Sequence, residues 1–384
     1  MLVAFKRYHK RDIALACRIV TRKNAEWEMA KRNEASNPIF VVGTPRSGTT
    51  LTARILGRHS RIFMPAETHF FDDIYARRGS LGEPGRPGAN RAIAARLSTL
   101  YGRQHEGGYQ KRMAPILDDR RSLERLVAAC RSYDQVLSRF MELQMASSGK
   151  ARWGNHVPRD IFNVAEVLTL FPDAKIVVCL RDLRDFLLSY SGMKEVVRAK
   201  HAARHRRIYH PIVTTLLWMA TAQRARSLSR LLPDGKLLYL RYEDVVRAPE
   251  ATARKLCAFV GEAYESDMLA VRGNNSSVPS TRGAAEGIFE SSIGRWRDGL
   301  PPEHAYLAQK LGGGLLETFG YQVEPIAVAP VRVLRPVLSF PVALVRGLHA
   351  NRAKQGALLP YVARRAASLL RHAPRSRRRQ ELRT

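Results

Sequence analysis

Apolar residues along this chain fall into a few short continuous runs, each followed by a stretch with helical spacing. The runs at 39–42, 174–180 and 236–244 have the length and continuity of strands buried inside a parallel sheet. Strands that alternate with helices are typical of a parallel sheet covered by helices on both faces. The pattern therefore predicts a three-layer α/β domain on a mostly parallel central sheet.

The rest of the pattern predicts helices joined by polar loops. Helical spacing dominates residues 91–149 and 302–319, and Gly261 follows a helical stretch as a stop signal. The Gly/Pro-rich segment 79–90 predicts a surface loop. Residues 1–35 show a helical pattern of mixed charge, so we predict an N-terminal helical extension there.

Composition limits the class of protein. The chain has 384 residues, 45% of them hydrophobic, enough for one large domain or two modest ones. No apolar run approaches the roughly 18 residues of a spanning helix, and the first residues lack a signal-peptide core. The cysteines are far apart and form no metal-binding pattern, which favours a reducing compartment and a cytoplasmic location. They are Cys17, Cys130, Cys179 and Cys257.

Charge is extreme and unevenly placed. The formal net charge is +30, and residues 325–384 contain 13 Lys/Arg against one acid, Glu381. Such an imbalance points to nucleic acid, a lipid surface or an acidic substrate, or only to a solvated arginine-rich tail. Aromatic residues do not interleave with a basic stripe, so we expect no specific nucleic-acid partner. A basic nucleic-acid-binding protein is kept as an alternative function.

A candidate anion site lies directly after the first strand, where residues 43–50 read GTPRSGTT. A glycine turn between a strand and a helix points backbone N–H groups at an anion. Nucleotide triphosphatases carry a lysine where this loop has Thr49, so a P-loop nucleotide or small-molecule kinase is the weaker alternative. A glycine turn that serves only packing is the other alternative.

Four stretches resemble, in chain order, the sulfotransferases that use 3′-phosphoadenosine 5′-phosphosulfate (PAPS). PIFVVGTPRSGTTLTARIL is similar to their 5′-phosphosulfate loop, and FPDAKIVVCLRDLRDFLLSY to their 3′-phosphate segment. LRYEDVVRAPEATARKLCAFVG is similar to the segment that places a tyrosine by the adenine, and SSIGRWRDGLPPE to the segment that covers the cofactor. The resemblance implies cofactor-binding roles for Arg46, Ser47, Gly48, Thr49, Thr50, Arg181, Ser189, Tyr242, Ser292 and Arg295.

This resemblance, strongest to the bacterial branch that is similar to tyrosyl-protein sulfotransferases, implies a P-loop-type domain over 36–322 and a separate tail over 323–384. It also implies transfer of a sulfuryl group from PAPS to a hydroxyl or amine, with PAPS as co-substrate and no metal. Transfer without a metal is physically reasonable, because a sulfuryl group carries less charge than a terminal phosphoryl group. Hydrogen-bond donors and one or two cations can then replace magnesium and the missing lysine.

The second phosphate position is expected at the end of the second buried strand. Arg181 follows that strand, where open α/β sheets bind their ligands, and its guanidinium can fork onto a phosphate. Ser189, eight residues on, can add a hydroxyl. The alternatives are a salt bridge from Arg181 to Asp182 or Asp185, a Ser189 without contacts, and a purely structural Tyr242.

Transfer to a hydroxyl needs a group that accepts its proton. The resemblance places that role on Glu67 in PAETHFF, beside a catalytic Arg46 in the loop. A helix-capping carboxylate is the alternative for Glu67. His69 and His156 compete as bases, and His156 in WGNHVPRD stands where many relatives carry a lysine. That departure leaves open whether His156 takes over the role of the lysine.

The tail mixes apolar and basic positions. Residues 358–371 fit a basic amphipathic helix of the kind that lies in a membrane interface. The prolines at 330, 336 and 341 predict breaks in the segment before it. Peripheral contact with an anionic membrane would suit a lipid-linked hydroxyl acceptor, although a small-molecule acceptor fits equally well. Packing of the tail on the catalytic domain and a solvated arginine-rich end are the alternatives.

Overall fold

The computed structural model describes residues 37–105, 119–146, 148–192, 209–271, 288 and 290–355. The predictions for residues 1–35 and for a helix at 358–371 therefore lie outside the described residues. Among the helices that are described, none combines the length and the apolar character needed to cross a membrane.

Five strands form a parallel central sheet in the order β2-β3-β1-β4-β5. Strand β3 lies between β1 and β2 and pairs with both in parallel. The strands are β1 (Ile39–Gly43), β2 (Ile62–Phe63), β3 (Arg152–His156), β4 (Lys175–Leu180) and β5 (Leu237–Arg241). The predicted α/β class with a mostly parallel central sheet is confirmed.

Helices connect the strands and extend the chain beyond the last one. The first group comprises α1 (Thr49–Arg58), α2 (Phe70–Asp73), α3 (Arg78–Leu81), α4 (Pro87–His105), α5 (Arg120–Ala128), α6 (Tyr133–Met145) and α7 (Val164–Leu170). The second group comprises α8 (Leu183–Ser191), α9 (Pro211–Leu231), α10 (Tyr242–Arg247), α11 (Pro249–Val260), α12 (Trp296–Gly299), α13 (Pro302–Thr318) and α14 (Pro330–Gln355). Short 3-10 turns lie at Tyr75–Arg77, Pro158–Phe162, Ser266–Leu269 and Glu290–Ser292.

The apolar pattern predicted neither the two-residue strand β2 nor the longer strand β3. The five residues of β3 are all buried although most are polar. Arg152 donates to the carbonyls of Asn37 at 2.5 Å and Val260 at 2.6 Å. Asn155 accepts a hydrogen bond from Thr68 Oγ1 at 3.1 Å. A buried strand is normally an apolar run, and here distant hydrogen-bond partners satisfy part of the polar groups, while Arg152 Nη2, Asn155 Nδ2 and His156 Nδ1 have no partner among the described residues.

Two predicted boundaries differ from the structure. The predicted strand 236–244 ends at Arg241, and α10 begins at Tyr242 with two acids in its first turn, where the helix dipole favours negative charge. The predicted loop 79–90 contains most of α3 and the beginning of α4. Helix α4 begins with proline, a residue that tolerates the first helical position because its missing N–H would be unpaired there.

The prediction that prolines break the segment after residue 330 is wrong, because α14 continues through Pro336 and Pro341. Each interior proline removes one backbone hydrogen bond of the helix. Side-chain packing against neighbouring elements supports the helix across this region. His210 Nε2 lies 3.1 Å from Ser339 Oγ, and the His210 ring lies against Phe340.

The chain divides into two compact units. Among the described residues, the first comprises 37–42 together with those of 50–177 and 250–270, and the second comprises the others. Edge-to-face aromatic contacts join Phe40 to Phe71 and to Trp153 in the core of the first unit. In the second unit, helices α8, α9 and α13 pack their apolar faces around the fully buried Trp218.

Gly43, the last residue of β1, is expected to tolerate no side chain. Its φ is 145°, and a Cβ atom would lie 2.1 Å from the carbonyl oxygen of Cys179. We expect Gly43→Ala to destabilise the protein by about 3 kcal/mol or more, since backbone atoms must move. Gly88→Ala is the control, because no atom lies within 4 Å of the added methyl group. Equal unfolding midpoints for the two variants in urea would contradict the expected steric clash.

Candidate functional site

The loop after β1 has an unusual backbone conformation. Positive φ angles occur at Gly43, at Gly48 (86°) and at Arg46 (70°), and residues other than glycine rarely adopt them. The Ser47 N–H donates to the Thr44 carbonyl at 3.2 Å, which closes the turn. A Cβ atom on Gly48 would lie 2.7 Å from the Tyr242 ring. The loop therefore needs glycine where it passes against this tyrosine.

Arg181 follows β4 and contacts three other segments of the second unit. One terminal nitrogen, Nη1, donates to the Arg46 carbonyl at 3.3 Å, and the other, Nη2, donates to the Ser292 carbonyl at 2.6 Å. Its guanidinium carbon lies 4.4 Å from the centre of the Tyr242 ring. The alternative of a salt bridge to Asp182 or Asp185 is not observed among the described residues, since Asp182 pairs with Arg184 at 2.7 Å and Asp185 accepts two backbone N–H groups.

Arg46 and Ser189 lie together although 143 positions separate them in sequence. Arg46 Nε donates to Ser189 Oγ at 3.2 Å, which links the loop to α8. Burial and the neighbouring Arg181 guanidinium lower the pKa of Arg46 from its ordinary value. Two guanidiniums in proximity repel each other, so a bound anion stabilises both.

Several buried donors of the second unit have no hydrogen-bond partner among the described residues. Those in the loop and directly after β4 are the hydroxyls of Thr44 and Ser47 and Nε of Arg181. A buried polar group without a partner is costly, and an anion with several oxygens would satisfy these donors. Of the other predicted loop residues, Thr49 is buried and Thr50 is exposed. The residues present thus fit a multiply charged anionic group.

The segment that precedes α12 is fixed by Asp185, which the sequence suggested only as a salt-bridge partner of Arg181. The Asp185 carboxylate accepts the N–H groups of Gly294 at 2.6 Å and Trp296 at 2.9 Å. Among the predicted residues of this segment, Ser292 is buried and Arg295 is exposed. The sequence signal was a second acid in RDLRD, four residues after Arg181 and therefore one helical turn away.

Within the first unit, Glu67 lies in a cluster of titratable side chains. His69 Nε2 lies 3.1 Å from Glu67 Oε2, and His69 itself has a positive φ of 52°. Burial alone would raise the pKa of Glu67. The hydrogen bond from His69, together with electrostatic interactions with His156, His69 and Arg159, outweighs burial and lowers it. Burial tends to lower the pKa of His69, yet the Glu67 hydrogen bond and the surrounding carboxylates raise it.

His156 is held in a neutral form. Burial lowers its pKa and outweighs the attraction of Glu67 and a hydrogen bond to the Pro65 backbone. Its Nδ1 atom has no hydrogen-bond partner among the described residues. A neutral imidazole cannot supply the positive charge of the lysine that many relatives carry at this position.

Asp160 is a fully buried member of the same cluster that the sequence did not predict. Asn163 Nδ2 donates to its Oδ1 at 3.1 Å, whereas Oδ2 has no partner among the residues that the structure describes. Burial, together with the nearby Asp72, raises the pKa of Asp160 to about 8. The side chain is therefore protonated at neutral pH. The sequence shows Asp160 as the acid of VPRD, directly after β3, but its protonation depends on burial that the sequence does not show.

The raised pKa of Asp160 predicts a pH-dependent stability. Below about pH 4 the folded and unfolded chains both bind the proton, and between pH 4 and 8 only the folded chain does. This contribution to wild-type stability is lost as pH rises through that window, by up to about 1.4 kcal/mol per pH unit. Asp160→Asn should therefore gain stability relative to wild type from pH 5 to 8. The difference in the free energy of unfolding is measured with urea at each pH, and Asp173→Asn on an exposed turn is the control. If the stability of Asp160→Asn and of wild type changed in parallel with pH, the assignment would be disproved.

Comparison with known proteins shows one similar sequence and several similar solved structures. An uncharacterized protein of Aquifex aeolicus is 26% identical over 298 residues, which cover 76% of this chain and 34% of that protein. The chain thus spans about a third of the length of that relative. The sulfotransferase domain of the curacin biosynthetic pathway is 17% identical, with coverage of 75% of this chain and 99% of that domain and a TM-score of 0.49. The sulfotransferase domain of the Synechococcus PCC 7002 olefin synthase is 17% identical, with coverage of 75% and 97% and a TM-score of 0.47.

The match to a family model covers fewer residues than these pairwise similarities, and it is the match that identifies the family. The model of the Sulfotransferase family matches residues 38–266, well over half of the chain, and this range contains the loop, the five strands of the sheet and the Glu67 cluster. The chain belongs to the Sulfotransferase family.

Proposed function

We propose that this protein transfers a sulfuryl group from PAPS to a hydroxyl or amine of an acceptor without a metal ion. One observation carries the proposal. The loop at 43–49 and the segment 181–189, assigned separately to two anionic groups of one ligand, are joined by Arg46 and Arg181 within one unit. Family membership supports sulfuryl transfer in general.

In this proposal the loop holds the 5′ side of the donor. Arg46, the Ser47 and Thr49 hydroxyls and the N–H groups at Gly48 and Thr50 supply donors to the sulfate and to the phosphate oxygen that leaves. PAPS supplies an activated sulfuryl group. Fixed donors stabilise charge as it develops, because they need no reorganisation during the reaction. The two buried hydroxyls without a partner support this role for the loop.

The 3′ side of the donor is assigned to the segment after β4. Arg181 Nε has no hydrogen-bond partner among the described residues and supports a phosphate contact together with Ser189. Tyr242, which contacts both the loop and Arg181, is assigned to the adenine. Ser292 and Arg295 complete the covering segment, which Asp185 holds through two backbone N–H groups.

Glu67 is proposed as the general base that takes the proton of the acceptor. The lowered pKa of Glu67 keeps its carboxylate ionised at neutral pH, as a base requires, and the contact with His69 orients it. His156, being neutral, is the competing base rather than a substitute for a lysine. The acceptor is proposed to be a small molecule or a lipid-linked hydroxyl compound.

The desulfated product, 3′-phosphoadenosine 5′-phosphate, should raise the melting temperature in the presence of EDTA, because a ligand that binds only the folded state stabilises it. Ser47→Ala should weaken its binding about tenfold, since a charge-assisted hydrogen bond contributes roughly 1.5–3 kcal/mol. Ser227→Ala, which removes a buried hydroxyl bonded to the Gln223 carbonyl of α9, is the matched control. A shift with ATP and magnesium but none with the desulfated product would refute the proposed donor.

Glu67→Gln should retain binding of the desulfated product and lose about 10²–10⁴-fold in transfer, the usual range for general-base catalysis. Transfer is measured with labelled PAPS and a metabolite extract, with the labelled product found by mass spectrometry. Glu265→Gln, which removes a carboxylate bonded to Ser60 elsewhere in the first unit, controls for loss of charge. If Glu67→Gln turns over normally, His156 and His69 are to be replaced in the same assay.

A further inference from the structure

Helix α14 exposes a continuous apolar face. Nine large hydrophobic side chains are exposed among the described residues, and six of them lie on this helix, each between 46% and 75% exposed. Their spacing of one, three or four positions places them on one side of the helix. This apolar face consists of Val331, Leu334, Val337, Leu338, Val342 and Val345.

The opposite side of α14 is the one that packs within the second unit. Pro336 is buried and Val333, Phe340 and Leu344 are half-buried. Phe340 contacts the ring of His210, the residue that precedes α9. The helix is therefore held to its unit by one side, and the apolar face is not used for that packing.

Charge indicates what the apolar face contacts. Arg332, Arg335 and Arg346 are exposed and lie beside it on the helix. The chain has no acid between Glu324 and Glu381. A second copy docked on this face would bring arginines together without a carboxylate to pair with them. Lipid phosphates and anionic headgroups would instead complement them.

We propose that α14 lies flat on an anionic lipid surface and attaches the protein to it. The six apolar side chains enter the boundary between headgroups and acyl chains, and the three arginines extend to lipid phosphates. Each arginine near an anionic leaflet adds to the attraction, and salt weakens it. This attachment is independent of the transfer activity.

The proposal is tested by flotation of the full-length protein with vesicles of phosphatidylcholine alone or with about one third phosphatidylglycerol. We expect the protein to float with the anionic vesicles at low salt. Less protein should float at high salt or with neutral vesicles. Leu334→Gln/Leu338→Gln should lower the partition coefficient about tenfold or more, because two large apolar groups are lost. Leu231→Gln, at a leucine 71% exposed on α9, is the control and should partition like wild type. All variants keep residues 356–384, so binding by that segment cannot produce the difference.

Circular dichroism melting verifies that the double variant is folded, and Leu334→Ser/Leu338→Ser provides a second test if it is not. Two outcomes would overturn the proposal. In the first, wild type does not float with anionic vesicles, or both double variants float as well as wild type. In the second, wild type is a dimer by light scattering and the double variant a monomer, which would assign the apolar face to a second copy.

Discussion

The guanidinium of Arg181 is the group on which the arrangement of the second unit depends. Both of its terminal nitrogens donate to backbone carbonyls, one in the loop and one in the segment before α12, and its plane covers Tyr242. These carbonyl partners hold the two terminal nitrogens without neutralising the charge, and Nε has no partner among the described residues. The positive charge therefore remains available to an anion, next to a second guanidinium whose pKa it lowers. The same contact that holds three segments together also prepares the site electrostatically.

Much of the fold could be predicted because its strongest signals are local. Strands β1 and β4 are apolar runs that the sequence shows directly, and α13 has clear helical spacing. Strand β3 could not be found in this way, since Arg152 is buried through carbonyls more than a hundred residues away. Helix α14 could not be predicted either, because its interior prolines indicate a break, and contacts with His210 that the sequence does not show support the helix.

The sequence predicted residues of the candidate site, but it did not predict the protonation states of the side chains around them. Spacing after two buried strands led to Arg46 and Arg181, and the structure places them in contact within one unit. The roles of these residues stay predictions until ligand binding is measured. The protonated Asp160 and the neutral His156 could not be predicted, since both states follow from complete burial and from neighbours distant in sequence.

The left-handed backbone of Arg46 affects how the loop binds an anion. Glycine would adopt this φ of 70° without strain, so the folded state tolerates a local cost in order to place a cation there. Because contacts with Ser189 and Arg181 already hold that conformation, a ligand need not order the loop when it binds. The strain is borne during folding, and the anion meets a loop whose conformation these contacts already hold.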